Sequence, residues 1–308
     1  MKHDLKVTIF LLILFLSAQI TGLFILSRSF SVERIKDEKT GETNITINYQ
    51  DVITGRPETQ GASSFIYVFF AILFGTLLLL FLIKFKLHKV WKGWFFIAIG
   101  LTLSIVFDVF LDEFLSILFG FALAYVKIFK PNMITHNITE VFMYSGIAVM
   151  MVPLFDIVWA VVLLVAISVY DFIAVFKSKH MVKLAEFQSS SKMFAGLLIP
   201  YELPKKKKQS KIRIKIPKGI KKKGVKSAIL GGGDIAFPLI FAGVVMNHII
   251  KTEKISTGMA FLETLIIPVF ACIFLGLLLY LSKKDKFYPA MPFISAGCLL
   301  GYGMIVLL

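Results

Sequence analysis

Two aspartates lie inside long apolar segments of the sequence, where a carboxylate is unexpected. Asp171 comes six residues before Lys177, which ends one apolar segment, and Asp234 comes eight residues after Lys226, which precedes the next. If both segments are helices that cross a bilayer, the two acids lie about 9–12 Å from the same membrane surface. A carboxylate in hydrocarbon costs about 2.5–3.5 kcal/mol, so acids at this depth indicate a functional site.

Two facing carboxylates can perform general acid–base chemistry. At a separation of about 5 Å and an effective dielectric constant near 20, their charges repel by about 3 kcal/mol, so the pair retains one proton. The ionised acid can then activate a water molecule while the protonated acid polarises an amide carbonyl, as in aspartic proteases. Depth alone does not favour this chemistry over two alternatives, in which the acids join neighbouring helices or line an ion path.

The elements that must position these acids are membrane helices. Hydrophobic residues make up 57% of the 308 residues, and the mean hydropathy is +0.81, which excludes an ordinary soluble domain. The sequence predicts an all-α polytopic membrane protein with nine transmembrane helices. The corresponding apolar segments are 7–27, 65–83, 94–111, 114–129, 138–153, 157–176, 228–249, 258–281 and 287–308.

The distribution of basic residues predicts the orientation of these helices. With the N-terminus in the cytoplasm, the inner segments hold 27 of the 34 Lys and Arg residues, and the opposite orientation would reverse this bias. The positive-inside rule therefore predicts a cytoplasmic N-terminus and an outer C-terminus for a multi-pass protein of the cell membrane. The net charge of +15 then reflects topology more than binding of nucleic acid, which is not expected as a partner.

Three parts of the chain follow from this topology. Residues 1–176 form a six-helix part that carries Asp171, residues 177–227 form a basic cytoplasmic loop, and residues 228–308 form a three-helix part. The loop is expected to contact anionic lipid headgroups. Within it, 211–216 alternate as a strand does. One hypothesis is that this segment, or 225–230, holds an unwound substrate by strand addition. For 211–216 the sequence favours the alternative, a basic strand that lies on the lipid headgroups.

Four other acids near the ends of apolar segments do not require a catalytic explanation. Asp108, Asp156 and Glu263 lie near the outer interface. Glu140 lies two or three residues into the fifth segment from the cytoplasmic side. We expect its side chain to extend to the headgroups.

Three short motifs surround the two deep acids. The sixth segment contains "SVYDFIAVF" with Tyr170 and Asp171, the seventh opens with "GGGD" at 231–234, and the ninth opens with "YPAMP" at 288–292. In this order and at the cytoplasmic end, they resemble the YD, GxGD and PAL motifs of the presenilin and signal peptide peptidase family of intramembrane aspartyl proteases. The chain is most similar to an archaeal presenilin homologue. The third motif departs from the family pattern at Met291, which conserves the size and apolarity of leucine.

The resemblance implies a function and a set of site residues. It implies hydrolysis of peptide bonds within or near the transmembrane helices of substrate proteins, with the carboxyl pair and water and without a metal or organic cofactor. Asp171 and Asp234 match the catalytic pair. The residues implied to contact substrate are Tyr170, Gly231, Gly232, Gly233, Pro289, Ala290 and Met291.

Alternatives to this interpretation remain at the level of sequence. The glycines can serve close helix packing, and the prolines can simply begin a helix. A prepilin or preflagellin-type peptidase also uses a GxGD acid, but it does not explain nine segments or "YPAMP". A cation- or proton-conducting protein would use the paired acids to bind ions.

Overall fold

A computed structural model describes residues 5–36, 43–85, 87–176, 195–200, 227–282 and 288–307. The predicted strand at 211–216 and most of the basic loop lie outside the described residues. The described part is mostly helical. Its helices are α1 Leu5–Arg28, α2 Ala62–Lys84, α3 His88–Asp108, α4 Glu113–Phe129, α5 Met133–Met151, α6 Ile157–Phe176, α7 Gly233–Glu253, α8 Thr257–Thr264, α9 Ile266–Leu281 and α10 Met291–Leu307.

Within the described residues, seven helical segments are long and apolar enough to cross a membrane. They are α1, α2, α3, α5, α6, α7 and the consecutive pair α8 and α9. The remaining helices, α4 and α10, have 17 residues each. The chain is therefore a multi-pass integral membrane protein, as predicted, and the count of nine crossings stays a prediction.

The described part of the chain also contains four short strands beside the helices. β1 (Phe30–Lys36) pairs with β2 (Thr43–Tyr49) in an antiparallel hairpin that follows α1. β3 (Gly196–Pro200) pairs with β4 (Ser227–Gly231), also antiparallel, with Gly196 opposite Gly231. A strand therefore forms over most of the 225–230 segment. The fold is mostly helical, as predicted, and of the four described strands the sequence predicted only the one within 225–230.

The bundle is organised around α7. In the most apolar 18-residue stretch of α7, 78% of the residues are buried, whereas in that of α2 only 11% are. The central helix contacts α1, α5, α6, α8, α9 and α10. In contrast, α2 exposes large side chains such as Phe70 and Phe74, as expected for a lipid-facing helix at the periphery. α7 is therefore embedded among other helices, and its first turn lies at one end, where Gly233 is exposed and Asp234 is half-buried.

The predicted eighth segment, 258–281, divides into two helices. α8 ends at Thr264 and α9 begins at Ile266, with Leu265 between them. Pro268 has no N–H to donate to the carbonyl of Thr264, four residues earlier, which explains why one continuous helix is interrupted here. The ninth segment is also shorter than predicted, because α10 begins at Met291 and residues 288–290 are not helical.

Glycines let α9 and α10 pack closely. A methyl group added to Gly297 would lie 2.7 Å from the Phe270 carbonyl oxygen and 2.9 Å from the Ala271 Cα. Both atoms belong to the backbone, so a rotamer change cannot relieve the contact. Gly303, in the same helix, has no described atom within 4 Å of the equivalent position.

We predict that Gly297→Ala lowers the free energy of unfolding by about 1–3 kcal/mol, because the helices must separate to admit the methyl group. Gly303→Ala is the matched control, and its higher helix propensity should stabilise α10 by up to about 1 kcal/mol. Unfolding of the two purified variants in detergent measures the difference. Equal destabilisation by both would contradict the close packing of α9 on α10.

Candidate active site

Asp171 lies near the end of α6 and faces the start of α10. The side chain is buried, with 6% of its surface exposed. The backbone N–H of Met291 donates a hydrogen bond to its Oδ2 over 3.2 Å. Met291 is the first residue of α10, and the first N–H groups of a helix have no partner within the helix. The Asp171 carboxyl therefore accepts from an N–H that has no partner within α10, and it lies at the positive end of the α10 dipole.

Asp234 occupies the first turn of α7, directly after the β3–β4 hairpin. β4 ends at Gly231, Gly232 precedes the helix, and α7 begins at Gly233. Gly231 lies so close to the acid that an added Cβ would be 3.2 Å from Asp234 Oδ2. Asp171 and Asp234 lie on α6 and α7, and these two helices pack against each other.

Three chain segments therefore converge at one end of the bundle. They are the end of α6, the start of α7 and the start of α10, and each carries one of the three sequence motifs. Ser168 and Ser295 share a hydrogen bond of 2.6 Å that joins α6 to α10 close to Asp171. The structure thus brings the two deep acids and "YPAMP" into one site. It contains a carboxyl pair, helix N-termini and a glycine turn.

The three glycines of the GGGD motif have different surroundings. Gly231 abuts Asp234 itself, as described above. Gly232 lies against Tyr144 of α5, whose hydroxyl would be 2.8 Å from an added Cβ. Gly233 is exposed, and the closest described atom to an added Cβ is in the Phe237 ring at 3.4 Å, an ordinary contact. Of the three, Gly233 has the open surroundings that would let the backbone of another chain approach closely.

The other residues that the sequence singled out have varied positions. Tyr170 is half-buried, and its hydroxyl shares a hydrogen bond of 3.1 Å with Thr76 of α2. Pro289 is buried and Ala290 is half-buried, in the non-helical residues before α10. Met291 is buried, with 2% of its surface exposed, and its N–H faces Asp171.

Glu140 is not at the headgroups, and the prediction that its side chain extends to the membrane surface is wrong. It is completely buried on α5 and forms an ion pair with Lys127 of α4, which is 5% exposed. It also accepts hydrogen bonds from the Tyr144 hydroxyl and, over 3.0 Å, from the Gly196 N–H. Lys127 lies 13 residues earlier, inside the preceding apolar segment. This opposite charge was the signal that could have predicted a buried pair.

Side chains of α5 also close one edge of the β3–β4 hairpin. Asn137 donates to the Leu198 carbonyl over 2.9 Å and accepts from the Leu198 N–H over 3.0 Å. His136 Nε2 is 2.9 Å from the Gly196 carbonyl oxygen. Together with Glu140, these contacts occupy the outward backbone groups of Gly196 and Leu198. β4 borders the other edge of β3.

The described residues contain no group of three or more His, Cys, Asp or Glu side chains arranged to hold a metal ion. The polar groups at the junction of α6, α7 and α10 are the two aspartates, backbone N–H groups and hydroxyls. This set can bind and polarise water and an amide.

Two solved structures resemble this protein along nearly its whole chain. The structure is similar to two solved structures of a presenilin family intramembrane aspartate protease, in space groups C222 and P2. The first has a TM-score of 0.59 at 17% identity and covers 97% of this chain and 98% of the other. The second has a TM-score of 0.54 at 18% identity and covers 96% of each chain. At these identities the likeness establishes the fold.

A search of curated proteins gave no match. In contrast, the family model described as "Signal-peptide peptidase, presenilin aspartyl protease" matches residues 43–308, which include every element that forms the site. This match confirms the resemblance carried by the YD, GGGD and YPAMP motifs. The chain therefore belongs to the signal-peptide peptidase and presenilin aspartyl protease family.

Proposed function

We propose that this protein hydrolyses peptide bonds within or near transmembrane helices of other membrane proteins. The observation that carries the proposal is the packing of α6, which bears Asp171, against α7, which bears Asp234, together with the start of α10, whose first N–H donates to Asp171. Family membership supports the reaction class, because the related solved structures are of intramembrane aspartate proteases. The pair needs water and no other reactant.

The proposed reaction divides acid and base work between the two aspartates. One ionised carboxylate takes a proton from water as the water oxygen bonds to the peptide carbonyl carbon. The protonated carboxyl donates its proton to the carbonyl oxygen, which gives a tetrahedral intermediate. Collapse of this intermediate breaks the C–N bond, and a proton passes to the leaving nitrogen. A new carboxyl and a new amine are released, and the pair again holds one proton.

Substrate binding is proposed to use the edge of β4 that faces away from β3, which pairs with no other strand among the described residues. A transmembrane helix must unwind before it can be cut, and an unwound segment needs partners for its backbone groups. Because Leu198 directs its N–H and carbonyl to Asn137, the alternation of an antiparallel pair directs those of Ile229 away from β3. A substrate strand along β4 would reach Asp234 beyond Gly231, with Gly233 giving clearance and Pro289–Met291 forming the opposite wall.

The proposed topology has nine crossings, with α8 and α9 acting as one and with α4 and α10 as short helices. The excess of Lys and Arg in the inner segments supports a cytoplasmic N-terminus and an outer C-terminus in the cell membrane. In this arrangement 1–176 and 228–308 each supply one acid. The basic 177–227 segment between them would lie beside the anionic headgroups of the inner leaflet.

We predict that Asp171→Asn and Asp234→Asn each reduce cleavage of a reporter transmembrane helix at least about 100-fold, because each removes an acid–base group. The measurement uses purified protein in liposomes, with fragments identified by mass spectrometry. Ion flux through the same liposomes is the control for an ion-conducting protein. Cleavage that persists in either variant would refute the proposed pair.

We predict that Ile229→Pro lowers kcat/KM about tenfold, because proline removes an N–H that would bond to substrate. Since this N–H points away from β3, the hairpin should survive the change. Ala228→Pro is the matched control: it removes an amide that faces β3, so it should also lower the thermal midpoint. An unchanged kcat/KM for Ile229→Pro would show that substrate does not bind along β4.

A further inference from the structure

A buried ion pair requires an explanation other than stability. Lys127 and Glu140 are 5% and 0% exposed, and the removal of both charges from water offsets much of their attraction. Well-packed apolar residues of similar size would stabilise a bundle at least as well. The additional bonds of Glu140 indicate what the pair does, because they lead to the turn that carries Asp234.

Two chains of contacts connect Glu140 with the glycines before Asp234. In the first, Glu140 accepts from the Gly196 N–H, and Gly196 lies opposite Gly231 in the β3–β4 register. The neighbouring Ala195 carbonyl accepts from the Gly232 N–H over 3.2 Å. In the second, Glu140 holds the Tyr144 hydroxyl, which lies against Gly232.

The turn at 231–233 has no side chains with which to fix itself. Glycine populates a wide range of backbone conformations, so its position must be imposed by neighbours. Displacement of a catalytic group by about 1 Å can reduce the rate about 100-fold. Contacts on both sides of this turn therefore bear directly on where the Asp234 carboxyl lies relative to Asp171.

We propose that Glu140, held by Lys127, is a positioning residue that fixes the GGGD turn through Gly196 and Tyr144 and so aligns Asp234 for catalysis. This inference rests on the proposed function for its catalytic consequence. The positioning itself is a property of the fold and can be measured separately. Glu140 acts through Tyr144 and the hairpin, and it is not a catalytic residue.

The test compares Glu140→Gln and Tyr144→Phe with Tyr49→Phe in the full-length protein. The Tyr144 hydroxyl and the Gly196 N–H both donate to Glu140 Oε2, while Lys127 pairs with Oε1. The amide of Glu140→Gln must therefore turn its NH2 group either toward the Lys127 ammonium or toward both donors, and in either orientation it loses the charge by which Lys127 holds it. Tyr49→Phe is a matched control, because the Tyr49 hydroxyl bonds to Asn247 near the opposite end of α7. We expect Glu140→Gln and Tyr144→Phe to lower kcat about tenfold with KM changed less than about threefold, whereas Tyr49→Phe leaves kcat unchanged.

A size-complementation experiment separates positioning from general destabilisation. Gly232→Ala directs a methyl group at the Tyr144 hydroxyl, so it should impair cleavage. Tyr144→Phe removes the hydroxyl oxygen that lies closest to this methyl group. The double variant Gly232→Ala/Tyr144→Phe should therefore be more active than Gly232→Ala alone. Additive losses in the double variant, or kcat values that simply follow the thermal midpoints of all variants, would overturn the proposal.

A readout without catalysis distinguishes failure of this inference from failure of the proposed function. Hydrogen exchange of the peptide that contains 227–234 should accelerate about tenfold in Glu140→Gln, which corresponds to about 1.4 kcal/mol of lost protection, and remain unchanged in Tyr49→Phe. Unchanged exchange in Glu140→Gln overturns the positioning role even if the protein is a protease. Absence of cleavage by the unaltered protein refutes the proposed function and leaves the exchange result to decide the positioning role.

Discussion

The cost of placing carboxylates among apolar helices constrains the rest of this structure. Asp171 and Asp234 must each find polar partners below the membrane surface, and they find them where helices end. The Met291 N–H at the start of α10 donates to Asp171, and the Gly231 backbone just before α7 donates to Asp234. Helix ends supply donors without adding charged side chains. This explains why α7 and α10 begin within the bundle.

Interruptions of regular structure are concentrated around the same site. Pro238 cannot donate to the Asp234 carbonyl, so the first turn of α7 is weaker than an ordinary helical turn. Gln19 of α1 donates to the neighbouring Ile235 carbonyl over 2.8 Å and braces this turn. The glycine turn is likewise held by Tyr144. The site therefore combines locally weak backbone with supports from α1 and α5, an arrangement that keeps Asp234 in place while leaving space beside it.

The sequence predicted the parts of the site that obey simple rules of depth and spacing. Asp171 and Asp234 were distinguishable because each lies several residues from the ends of its apolar segment. The GGGD and YPAMP motifs mark the starts of two helices near them. Glu140 was misassigned because a distance of two or three residues from a segment end looks like access to headgroups. Its burial depends on how α4 and α5 pack, which no local pattern encodes. The pairing of β3 with β4 was equally hidden, because their partners are about 30 residues apart and both strands are short.

The most direct test of the central claim measures whether the two acids meet in the membrane. Asp171→Cys and Asp234→Cys are combined in a protein in which Cys272 and Cys298 are replaced by alanine, and a short bifunctional thiol reagent is added to intact membranes. Ser168→Cys with Ser295→Cys is the positive control, because those hydroxyl oxygens are 2.6 Å apart. The account predicts bridged peptides for both pairs. Bridging of the serine-derived pair without bridging of the aspartate-derived pair would contradict it.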